Sequence, residues 1–147
     1  MGKSIRYSRI ISKTIPFWGW YFRLAAKIPL AGKITGRTNK TLGKLLPKLS
    51  FLGFRKEASY ENAVWNYEIF LKLIGAPYDV KIDSPLSRPF IIHKCPAGHC
   101  RLEHLNACKV TMKLNHSLVE SSGAILMVDK RSPLDGSCVE RVVSKNE

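Results

Sequence analysis

The first 56 residues contain thirteen Lys and Arg and not one Asp or Glu; the first acid is Glu57. The other 91 residues carry eleven charges of each sign, so the whole formal charge of +13 resides in the N-terminal part. A chain divided in this way is expected to fold as two unlike parts. Residues 1–56 read as a basic, aromatic-rich helical arm, and residues 57–147 as an electrically balanced domain that contains every cysteine and histidine. An arm without acids cannot neutralise itself, so its partner is an anionic surface, either lipid headgroups or nucleic acid.

Phe17, Trp18, Trp20, Tyr21 and Phe22 stand among Arg9, Lys13, Arg23 and Lys27. Trp and Tyr favour the lipid interface, and Lys and Arg reach from there to phosphates. Trp18, Trp20, Arg23 and Lys27 are therefore the candidate membrane-binding residues. The same mixture suits single-stranded nucleic acid, and an arm whose aromatics pack on the rest of the protein is the third reading. The most apolar stretch, Ile15 to Leu30, is interrupted by Pro16, Arg23, Lys27 and Pro29, so no transmembrane helix is expected. The start, Met1-Gly2-Lys3-Ser4-Ile5-Arg6, has Arg where a myristoylation signal has Ser or Thr. With no export signal and only four cysteines, the thiols are expected to be reduced and the protein cytoplasmic, peripheral to a membrane.

The pattern predicts a short helix from Phe17 to Ile28 ended by Pro29. A second runs from Asn39 to Leu46 with Asn39 as N-cap, and a linker follows at 50–55. Ser59 to Ile74 reads as a largely buried helix, with Ser59 as N-cap and Gly75 as the stop. Strands are predicted at Tyr78–Asp83 and Pro89–Lys94, a helix at Arg101–Ser121, and strands at Ala124–Lys130 and Ser137–Ser144. Two hairpins around a helix, β-β-α-β-β, give an α+β fold: an antiparallel sheet covered by helices and preceded by the N-terminal helices.

The chemistry-bearing residues fall late. His93 and Cys95 are two apart at a strand end, His104 and Cys108 four apart on a helix, and Cys138 and Glu140 two apart on the last strand. Each pair is expected to share a face, and the three faces meet if the helix packs on the sheet. Thiolate and imidazole are ligands for zinc or iron, so Cys95, Cys108, Cys138 and His104 form the candidate metal set. Their spacing matches no common metal-binding run. Nor is Cys95-Pro96-Ala97-Gly98-His99-Cys100 a haem-attachment motif, which has two residues between its cysteines. A thiol beside an imidazole also makes a nucleophile, with Cys95 and Cys100 as the better candidates, Cys95 first, and His93 or His104 as the base. The plain alternative is cysteines that simply fill a core. His116 reads as a solvated surface residue.

Cys95-Pro96-Ala97-Gly98 at the end of a strand, Cys108 in the next helix, Gly123 at its end and Gly136-Ser137-Cys138 before the last strand form a sparse pattern within residues 90–143. It resembles the L-2-amino-thiazoline-4-carboxylic acid hydrolase-like family, related to 4-vinyl reductase-type domains. The resemblance implies helices on an antiparallel sheet and a small-ligand or metal site made by Cys95, Cys108 and Cys138. It also implies a thiol- or metal-dependent hydrolase acting on a small cyclic C–N/C–S compound. Cys100 and the basic arm lie outside the pattern. The leading expectation is a hydrolase-like domain with a cysteine-lined site, held at an anionic membrane by its arm. The alternatives are an accessory subunit docked on a larger membrane-bound or acidic protein, and a single-stranded nucleic-acid binder.

Overall fold

The computed structural model describes residues 2–99, 101–132 and 134–145, with side chains from Arg9 onward. Five stretches of regular structure precede the sheet: α1 (Gly2–Lys27), α2 (Pro29–Leu45), two single 3₁₀ turns at Leu46–Lys48 and Ser50–Leu52, and α3 (Tyr60–Ile74). Then come β1 (Tyr78–Val80), β2 (Ser87–Ile92), a 3₁₀ turn at Leu102–His104, α4 (Leu105–Ser121), β3 (Ala124–Ser132) and β4 (Ser137–Ser144). The expected α+β fold is present.

The two N-terminal helices are longer than their sequence punctuation suggests. α1 runs through Pro16, although proline there removes a backbone donor and costs about 3 kcal/mol in a helix interior. What carries the helix across is a partly buried stripe at helical spacing: Gly19 is buried, and Ile11, Ile15, Phe22 and Ala26 are half-buried. Pro29 ends α1 and also begins α2, at the first-turn position where a missing N–H is harmless. Asn39 is not an N-cap. It lies in the middle of α2, buried, and its Nδ2 donates to Val110 O of α4 at 3.0 Å. The small residues Gly36, Asn39 and Gly43 form the ridge on which α2 crosses α4. A Cβ on Gly43 would stand 2.4 Å from Leu114 O, so only glycine permits this approach.

The segment expected as a linker is pinned down. Leu52 and Phe54 are buried, Trp65 Nε1 donates to Gly53 O at 2.9 Å, and the Arg55 guanidinium lies 4.2 Å over the Trp65 ring. Buried Asn66 accepts from Arg55 N (2.7 Å) and donates to Arg55 O and Ser122 Oγ (both 2.9 Å). α3 agrees with expectation at both ends: Ser59 Oγ accepts from Asn62 N, and Gly75 closes the helix in the left-handed region.

The four strands form one antiparallel sheet in the order β1-β2-β4-β3. The returning strand of the second hairpin therefore joins the first hairpin, and β2 and β4 are the central pair. Alternate residues of β4, Cys138, Glu140, Val142 and Ser144, are buried; α3 packs over β4 and α4 over the neighbouring β3. The register of β3 against β4 shifts between Val128 and Lys130. Past this bulge Arg131, rather than Lys130, stands opposite Cys138. Directly opposed residues in an antiparallel pair share a face, so the bulge turns Arg131 inward. Among the described residues no helix is long and apolar enough to cross a membrane.

Candidate functional site

A cavity of about 420 Å³ lies between the four helices, the sheet and the loop after β2. Its walls are apolar: Ile15 and Phe22 of α1, Leu42 of α2, Phe70 and Leu71 of α3, and Ile92 of β2. It is open where α1 and α2 diverge, because Trp18, Tyr21, Ile34, Thr38 and Leu42 line it and are also exposed.

Cys95, Cys108 and Cys138 all line this one cavity. Cys95 is half-buried, and the other two are buried. The Cys-Pro-x-Gly segment explains how Cys95 is held. Pro96 takes the second position of a turn closed by Gly98 N–H donating to Cys95 O at 3.0 Å. Gly98 then adopts φ +69°, a conformation that suits glycine. The turn aims the His99 N–H at Cys95 Sγ, 3.4 Å away. Burial pushes the Cys108 thiol up, partly offset by the Arg131 charge, so Cys108 is a neutral thiol at physiological pH.

His93 and His104 do not line the cavity. β2 ends at Ile92, so the alternation that would put His93 and Cys95 on one face stops before both of them. His93 N donates to Pro77 O, and its exposed ring meets Asp79 Oδ2 at 2.7 Å. His104 precedes α4 rather than lying within it, so its spacing of four from Cys108 has no helical meaning. Its ring sits beside Glu103, in a separate hollow shared with Arg23 and Lys27. Among the described residues, no three His, Cys, Asp or Glu side chains are grouped to hold a metal ion. Cys100 lies outside the described residues.

Sequence reasoning passed over the histidine that does belong here. His99 is buried, with Nε2 3.1 Å from Gly19 O and Nδ1 3.2 Å from Thr111 Oγ1. It ties α1, the Cys95 loop and α4 together at one point. Burial lowers its pKa, the Gly19 carbonyl opposes this, and the Arg23 charge adds to the lowering. Gly19 is required at the same crossing, since a Cβ there would stand 2.5 Å from Ala97 O.

The floor of the cavity is polar. Glu140 is buried, accepting from the Tyr67 hydroxyl on Oε2 and facing Cys138 Sγ at 3.5 Å on Oε1. Burial raises its pKa, although bonds from Tyr67, Cys138 and Asn115 favour the charged form. Buried Tyr67 is held well above the usual phenol range, first by burial and then by Glu140. His116 is half-buried on α4, and its charge would favour ionised Glu140.

Of the candidate membrane residues, Trp20 and Lys27 are exposed, and Trp18 is exposed at the cavity mouth. Arg23 is turned inward, its Nη1 donating to Ala97 O at 3.3 Å. Comparison with models of known protein families finds no match, and comparison with curated proteins finds none.

Proposed function

We propose that this protein binds a small, mainly apolar molecule in the cysteine-lined cavity while docked on an anionic membrane surface. The observation that carries the reading is the cavity itself. Its volume lies in the range of ordinary small-molecule sites, with an apolar wall and a few convergent polar groups. Three sequence-distant thiols share its lining with a buried carboxylate. The partial likeness to the thiazoline-carboxylate hydrolase-like family agrees with such a site. Any thiol chemistry falls to Cys95, the half-buried sulfur with a backbone N–H directed at it.

The surface half of the reading rests on a row along α1. Arg9, Lys13, Phe17, Trp20, Leu24 and Lys27 recur at spacings of three and four, and all are exposed. α2 adds Lys33, Arg37, Lys40 and Lys44 beside exposed Leu30, Ile34 and Leu45. Each basic side chain close to an anionic leaflet contributes about 1 kcal/mol, and the exposed apolar side chains enter the headgroup boundary. The helices that carry this face also frame the cavity mouth.

Two measurements test the two halves. The neutral dye N-phenyl-1-naphthylamine should bind saturably at one site. Lengthening a lining side chain, in Cys108→Phe or independently Ala76→Met, should weaken it at least tenfold in a variant that still melts cooperatively. No saturable binding by the wild type would sink the cavity reading. In flotation the protein should rise with phosphatidylserine vesicles at low salt, stay down with phosphatidylcholine vesicles, and be released at high salt. Equal behaviour with both vesicles would leave the basic face to a protein partner, and preferential retention by single-stranded nucleic acid would assign it there.

A further inference from the structure

Resting on the cavity reading, we infer that the ligand carries a hydrogen-bond donor, an N–H or O–H group, at the end that reaches Asn115. Asn115 of α4 is only 7 % exposed and lines the cavity. Its Nδ2 is directed at Tyr67 Oη (3.5 Å) and Met112 Sδ (3.6 Å). Its Oδ1 is buried with no hydrogen-bond partner among the described residues. A buried acceptor left unmade is costly, so an occupant that supplies a hydrogen there is favoured over one that does not.

The neighbours fix which way the amide faces. Tyr67 donates its only hydroxyl hydrogen to Glu140, so its oxygen acts as an acceptor toward Asn115. That orientation assigns the Asn115 nitrogen to Tyr67 and leaves the oxygen for the ligand. Glu140, on the same floor, has both carboxyl oxygens engaged, by Tyr67 and Cys138. A carbonyl or ether oxygen at this position would face two acceptors. Among the described residues the one Lys or Arg in the lining is Arg131, which follows the bulge in β3 and is half-buried, partly screened by water. Selection therefore belongs to the buried end, and the chemical class is a neutral apolar body with a single donor head.

A matched set of probes reads this directly by calorimetry. Indole presents an N–H, 1-methylindole blocks it, benzofuran replaces it with an acceptor, and benzofuran-2-carboxylate offers an anion for Arg131. Indole should bind at least tenfold more tightly than 1-methylindole or benzofuran, equivalent to about 1.4 kcal/mol. Asn115→Leu, of similar shape, should reduce that ratio below twofold. Thr41→Val, on the exposed side of α2 and outside the cavity lining, should keep the full ratio. Equal affinities in the wild type would overturn the inference, as would a ratio preserved in Asn115→Leu or tightest binding of the carboxylate. If Asn115→Leu does not fold, the wild-type ratio together with Thr41→Val decides. Saturable binding of N-phenyl-1-naphthylamine with no preference among the probes overturns the donor inference alone. Loss of dye and probes together removes the cavity reading beneath it.

Discussion

Tyr67 of α3 gives its hydroxyl hydrogen to Glu140 of β4, joining the covering helix to the central strand at the floor of the cavity. The carboxyl of Glu140 is buried and its pKa is raised. Between its ordinary value, about 4.3, and the raised value in the folded protein, the native state holds a proton that the unfolded chain has lost. Stability from this group is therefore fully present below the unfolded value and is lost as pH rises through the folded one. Glu140→Gln keeps an acceptor for Tyr67 and removes the titration. Urea unfolding from pH 4 to 8 should show the variant gaining stability over the wild type as pH rises, with the two closest at the acid end.

His99 works in the opposite direction. Burial lowers its pKa, so the folded protein resists the proton that the unfolded chain accepts below about pH 6.5. The stability it secures is complete above that value and is lost as pH falls toward the depressed folded value. Glu140 contributes the opposite pH dependence, so the measurement belongs in a Glu140→Gln background. There, a chain with His99 should lose stability between pH 7 and 5. One carrying His99→Gln, whose amide still reaches Gly19 O, should lose clearly less.

The strands, α3 and the C-terminal end of α4 were legible because period-two and period-3.6 patterns were bounded by Ser, Gly and Pro acting locally. Cys95, Cys108 and Cys138 do line one cavity, each on or beside an expected element, but the close grouping expected of a metal set is absent among the described residues. What escaped was non-local. Pro16 looks like a stop, and only the partly buried stripe on both sides of it makes α1 continuous. Asn39 has the composition of a cap, and nothing nearby shows that its amide is used by α4. The partners expected for the thiols, His93 and His104, were assigned by extending regular spacing past the true ends of β2 and α4. His99 and Asn115 had no signal at all, since their importance comes from contacts with Gly19, Thr111 and Tyr67 far along the chain. The bulge that brings Arg131 opposite Cys138 is equally silent, because one skipped residue leaves no trace in composition.

Gly43 separates local propensity from packing. In an isolated helix Gly43→Ala would stabilise by about 1 kcal/mol. Here the new Cβ meets Leu114 O at 2.4 Å and Ser117 Cβ at 2.9 Å, and backbone has to move. Overpacking of this kind costs about 1 to 3 kcal/mol, so it cancels the gain and more. Thermal melts should place Gly43→Ala below the wild type, whereas Lys44→Ala, on the exposed side of α2, should fall within about 0.5 kcal/mol of it. A Gly43→Ala protein as stable as the wild type would mean that α2 does not lie this close to α4.

The three cavity thiols should differ in reactivity by position. Cys95 is half-buried, whereas Cys108 and Cys138 are 8 % and 7 % exposed. The Cys108 thiol is also held in its neutral form by burial, and only the thiolate is nucleophilic. In a Cys100→Ser chain, iodoacetamide at pH 8 should alkylate Cys95 well before Cys108 or Cys138. After unfolding in urea all three should react at similar rates. Saturating N-phenyl-1-naphthylamine should slow Cys95 several-fold, since that sulfur and the dye share the cavity. Peptide mass spectrometry reads each site separately. Fast native labelling of Cys108, or Cys95 labelling indifferent to dye that is demonstrably bound, would show that the thiols do not line the space the dye occupies.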